Sequence, residues 1–135
     1  MAIKQLDHVN LRTANLAGMT AFYRDVLGFA EGPRPPFGFG GAWLYCDGQA
    51  AVHLVEVDEQ PDSRDPQLEH FAFQAEGMAD FLTRLRGAGV AYEIRIVPEF
   101  EIRQVNIFDP DGNHLHIDFQ PGDEADLADY PGEAA

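Results

Sequence analysis

One sequence unit occurs twice in this 135-residue chain, and both copies carry histidine at the same two places. Leu6-Asp7-His8-Val9-Asn10-Leu11 returns as Leu68-Glu69-His70-Phe71-Ala72-Phe73, an offset of 62. Val52-His53-Leu54 returns as Leu115-His116-Ile117, an offset of 63. A repeated unit restricts the chain to folds assembled from two similar halves. The same potential ligand at the same two places in each half points to one shared metal site.

The pattern between the histidines supplies the elements. Ile3 to Thr13 alternates apolar and polar residues, which predicts a strand. Asn15 can cap a helix over Leu16 to Leu27, with Met19, Phe22, Tyr23 and Val26 at helical spacing and Gly28 as its stop. Residues 31–41 are Gly- and Pro-rich and are expected to form a loop. Trp43 to Cys46 and Ala51 to Val57 are expected strands joined by an Asp47-Gly48 turn. The order then restarts. Glu69 to Gln74 is a strand and Met78 to Gly87 a helix. Ala91 to Val97, Arg103 to Phe108 and His114 to Phe119 are strands, the last pair joined by Asp109-Pro110-Asp111-Gly112. Each half therefore predicts βαβββ, and the fold class expected is α+β, two tandem βαβββ modules forming curved mixed sheets around a shared cavity. The modules are expected at residues 1–60 and 68–120. A polar linker at 61–67 separates them, and an acidic tail, mobile or loosely docked, follows at 121–135.

Strand parity aims the histidines. Side chains alternate between the two faces of a strand. Val9 and Leu11 beside His8, and Val52 and Leu54 beside His53, must pack against the helices. Phe71 and Phe73 bracket the second copy in the same sense, as do Leu115 and Ile117. The histidines then share the opposite face. A lone strand histidine is more often a satisfied polar residue than a ligand. Four related by a repeat would leave buried imidazole nitrogens without partners, and a divalent cation resolves that. His8, His53, His70 and His116 are the candidate ligands. Imidazole suits Zn, Ni or Fe(II) better than Mg or Ca. His114 shares the parity of His116 and should face the same cavity. A histidine there that is not ligating can act as a general base near neutral pH, so His116 and His114 are the candidate catalytic groups. Trp43 and Tyr45 share strand parity, Phe39 sits on the Gly/Pro loop, and Arg103 can steer an anion. These four are the candidate substrate contacts, with core packing or a solvated edge as their plainer roles.

Composition excludes several partners. A net charge of −14, with only Lys4 and eight scattered arginines, argues against nucleic acid. One cysteine, Cys46, excludes an internal disulfide and a thiolate cluster. No apolar window is long enough for a membrane span, and the N-terminal residues lack a signal-peptide core, so a cytoplasmic protein is expected.

Three stretches resemble the vicinal oxygen chelate, or glyoxalase/bleomycin-resistance/dioxygenase, superfamily. They are Leu6-Asp7-His8-Val9 with Ala21-Phe22-Tyr23-Arg24-Asp25-Val26-Leu27-Gly28-Phe29, then Leu68 to Phe73, then Arg103-Gln104-Val105 through Phe108 to Asn113. The resemblance covers about residues 4–120 and implies the paired-module fold. In metal-binding members the ligands come from the first and last strands of each module, which correspond to His8, His53, His70 and His116. Glu is usual at the place of His116, and common in glyoxalase I at that of His53. There a metal-bound Glu abstracts the proton, so the histidines argue against glyoxalase I chemistry. Four neutral imidazoles leave the full charge of the ion to attract a small molecule with vicinal oxygens. The resemblance implies a metal-dependent lyase, isomerase or dioxygenase, working as a homodimer in which two chains complete each cavity. It also admits a metal-free, drug-sequestering binding protein and a thiol transferase. Metal content separates the first two, and a thiol transferase would need a carboxylate ligand that the place of His116 lacks.

Overall fold

The computed structural model describes residues 1–133. The chain divides into two compact units, Met1–Arg64 and Asp65–Ala135. Each unit holds a four-stranded mixed sheet in the order first, fourth, third, second.

In the first unit β1 (Val9–Thr13) lies parallel to β4 (Gln49–Glu56), while β2 (Ala30–Gly32), β3 (Gly41–Cys46) and β4 run antiparallel. Ala42 pairs with Leu54 and Leu44 with Val52, and all four are buried. That row is the core face. The alternate row, Asn10, His53 and Trp43 in register, lies on the other side. The helix α1 (Leu16–Ala21) starts where expected, because Asn15 accepts a hydrogen bond from the Gly18 N–H. It does not continue as an α-helix to Leu27. Phe22–Val26 forms a π-helical segment closed by Leu27 N–H donating to Phe22 C=O. The wider turn leaves the consecutive residues Phe22 and Tyr23 both buried. Gly28, at φ +81°, ends it in the left-handed conformation that glycine tolerates. The short strand β2 falls where the Gly/Pro pattern predicted only loop, and Tyr45 packs its ring over Gly32 there.

In the second unit β5 (His70–Gln74) lies parallel to β8 (His114–Phe119), with β7 (Arg103–Phe108) and β6 (Glu93–Ile96) following antiparallel. Val105 pairs with Ile117 and Ile107 with Leu115, all buried. The helix α2 (Met78–Gly87) buries Met78, Leu82 and Leu85, one face at helical spacing.

Between Asp123 and Tyr130 the acidic tail is held to the second unit rather than loosely docked. Asp123 accepts from the Gly77 and Met78 N–H groups at 2.8 and 2.9 Å, capping α2 from a distant part of the chain. Asp129 accepts from Ile94 N–H, and Tyr130 bridges to Tyr92. The carboxylates turn inward because they meet donors that α2 and the edge of β6 would otherwise leave unpaired. Asp123→Ala is expected to lower stability by about 0.5–2 kcal/mol, the usual cost of a lost N-cap, measured by urea unfolding. An unchanged midpoint would remove the tail from the folded unit.

Candidate metal centre

In the first unit His53 projects from the row opposite Val52 and Leu54, as parity required. It is 8% exposed. Its ring lies between two others: His8 stacks at 3.8 Å between centroids and Trp43 at 3.9 Å. His8 itself precedes β1 rather than lying within it. Its Nδ1 meets Asp7 Oδ2 at 2.7 Å, and Gln49 Nε2 donates to the carbonyl oxygens of Leu6 and Asp7, tying this segment to β4. His53 Nε2 is buried and has no hydrogen-bond partner. Burial first, and the neighbouring His8 second, hold the His53 pKa below the usual imidazole value. The ring is thus biased towards the neutral form that a metal requires.

The second unit repeats the arrangement. His70 and His116 approach at 4.5 Å between ring centroids. His116 is buried, and its Nδ1 sits 2.5 Å from Asp118 Oδ1. A carboxylate on one ring nitrogen orients the other nitrogen, the device metal-binding histidines commonly use. His114 lies beside His70 in the parallel ladder, with its Nδ1 2.8 Å from Glu69 Oε2 and its Nε2 2.8 Å from Asn106 Oδ1. His70 Nδ1 meets the same Glu69 oxygen at 2.9 Å. Hydrogen bonds from His114 and then His70 hold the Glu69 carboxyl below its ordinary pKa. A cavity of about 760 Å³ opens on this face, lined by His70, His114 and His116 together with Gln104, Asn106 and Tyr130.

The structure therefore brings His8 to His53 within one unit, and His70 to His116 and His114 within the other. The remaining candidates fare differently. Trp43 stacks directly on His53. Tyr45 shares its parity, but its hydroxyl donates to Pro33 C=O at 2.5 Å. Phe39 stacks on Phe37 at 5.1 Å with the Arg34 guanidinium over both rings. Arg103 alternates with the cavity row: it pairs with Phe119, binds the Glu101 carbonyl and does not line the cavity. Gln104, Asn106, Arg95 and Glu93 are among the polar groups that do. The Cys46 thiol pKa is pushed up by burial and by Asp47, which suits an inert residue.

Glu69 escaped notice because it directly precedes β5, where strand parity does not govern. The repeat carried a signal for it. Asp7-His8 and Glu69-His70 are equivalent pairs, and in both the carboxylate meets the following Nδ1.

The family model described as the Glyoxalase/Bleomycin resistance protein/Dioxygenase superfamily matches residues 5–117. Similar solved structures include a glyoxalase family protein from Bacillus anthracis, at 23% identity over 89% of this chain and 98% of that one, TM-score 0.74. A glyoxylase/bleomycin resistance protein/dioxygenase domain from Frankia sp. EAN1pec is 25% identical over 88% and 99%, TM-score 0.73. A lactoylglutathione lyase from Agrobacterium tumefaciens is 23% identical over 87% and 95%, TM-score 0.65. No curated protein matches the chain. Among the described residues no helix is long and apolar enough to cross a membrane.

Proposed function

We propose that this chain, which belongs to the glyoxalase/bleomycin resistance protein/dioxygenase superfamily, is a metal-dependent lyase, isomerase or dioxygenase acting on a small molecule with vicinal oxygens. The observation that carries this reading is the buried, unpartnered Nε2 of His53. Such an atom costs about 1–3 kcal/mol unless something binds it. The ring is stacked, poorly able to accept a proton, and one step from a second imidazole. That chemistry fits a divalent transition ion better than it fits a structural histidine. His8, His53, His70 and His116 would hold Zn, Ni or Fe(II), which when bound supplies Lewis acidity to the oxygens of the substrate. His116 and His114 line the cavity and would carry a proton. Trp43, Phe39 and Tyr45 offer aromatic surface, and Gln104, Asn106 and Arg95 take the polar role first given to Arg103. A cytoplasmic homodimer completes the reading.

A second reading, a metal-free binding protein, is favoured by the aromatic run from Phe39 through Phe37 and Trp43 to His53. Metal analysis distinguishes them. The enzyme reading expects close to one ion per site, lost with a chelator and restored by Zn, Ni or Fe(II). It also expects metal-dependent turnover of a hydroxyketone, catechol or enediol. A metal content near zero that none of the ions restores would overturn it and leave the binding protein.

A further inference from the structure

We propose that the ion in the second unit is held by Glu69, His70 and His114, a two-imidazole, one-carboxylate site, rather than by His70 and His116. This rests on the metal dependence proposed above and changes its donors. One donor atom from each of the three side chains lies within 4.8 Å of the others. Both Nδ1 atoms already sit 2.8–2.9 Å from one Glu69 oxygen. Donors about 2.0–2.2 Å from a common ion lie roughly 3 Å apart, so little movement would be needed.

Proton placement gives the independent argument. Asn106 Nδ2 donates to the Glu93 and Gln104 carbonyls, which turns its Oδ1 towards His114 Nε2. His114 thus lies between two acceptors, Asn106 Oδ1 and Glu69 Oε2. A neutral imidazole carries one N–H and cannot serve both. With the proton on Nε2, facing Asn106, the Nδ1 lone pair points at a carboxylate lone pair. A cation between them turns that repulsion into ligation. Asn106 becomes a positioning residue that fixes the tautomer, and Phe108, stacked on His114 at 5.2 Å, fixes the ring. The carboxylate also offsets one charge of the ion, which four imidazoles would not. His116, held at Nδ1 by Asp118, is left free to work on the substrate.

The test is titration of the chelator-treated full chain with Co(II), following affinity by calorimetry and coordination by the visible spectrum. Glu69→Gln and His114→Gln are expected to weaken binding beyond the roughly 100-fold limit seen for merely orienting partners, and to change the spectrum. His116→Gln is expected to stay within that limit. Glu69 is 67% exposed in its side chain, so Glu69→Gln should fold, and circular dichroism checks this. If Glu69→Gln and His114→Gln bind as the parent does while His116→Gln and His8→Gln lose the ion, this assignment is overturned and the four-histidine site stands. If the parent takes up no Co(II), both fail, and Glu69 is only an ion-pair partner of protonated histidines.

Discussion

Adding Zn(II) to the chelated protein at 1,000 times its dissociation constant is expected to stabilise it by about 4 kcal/mol. For a chain of this size that is a rise in Tm of roughly 10 °C or more. His53→Phe is expected to reduce the rise by whatever His53 contributes as a ligand, while leaving the metal-free protein within about 1 kcal/mol of the parent. Phenylalanine keeps the stack between His8 and Trp43 and removes the orphan Nε2. It gives up a hydrogen bond to the Ala50 backbone, and the two changes oppose each other. The pH profile adds a second readout. The folded-state pKa of His53 is depressed, so between that value and about 6.5 the unfolded chain binds more protons. Stability of the metal-free parent should therefore fall as pH drops through about 6.5 and level off below the folded pKa, and His53→Phe should flatten that portion. A metal-induced shift as large in the variant as in the parent would remove His53 from the ligands.

The second large effect concerns the other face of the same strands. Leu115→Ala is expected to cost about 2–5 kcal/mol, against a total stability of roughly 5–15 kcal/mol for an ordinary domain. Leu115 is 0% exposed and lies in register with both Phe71 and Ile107. Leu68→Ala, at a residue 65% exposed and just outside the sheet, should change stability by no more than about 0.5 kcal/mol. Urea unfolding of both variants measures the difference. A small effect for Leu115 would reverse the strand, and with it the assignment of His114 and His116 to the cavity.

That dependence explains why the facing of the candidate histidines was legible in the sequence. Alternation in β4 and β8 left little choice: Val52, Leu54, Leu115 and Ile117 had to be core, so His53 and His116 could not be. The βαβββ order followed from the same periodicities and from the spacing of Met78, Leu82 and Leu85. What escaped was governed by contacts distant in sequence or by local geometry outside strands. β2 is a strand only because β3 lies beside it, and its composition alone predicts loop. Asp123 and Asp129 read as a solvated acidic tail because their partners, Gly77, Met78 and Ile94, are backbone groups with no sequence signature. Arg103 shares the parity of Val105 and Ile107, while its neighbour Gln104 has the parity that faces the cavity.

The docked tail has a practical consequence for work at the bench. Tyr130 and Pro131 belong to the wall of the cavity beside His114 and His116. The five positions 131–135 span at most about 18 Å when extended, so a group attached directly after them lies within that reach of Tyr130. A hexahistidine purification tag fused there would place six extra imidazoles within range of the candidate ion. It could then supply ligands the native chain does not have, or strip the ion away. At the other end His8, itself a candidate ligand, lies only seven positions from Met1, so an affinity handle at either end should be cleaved before metal is measured.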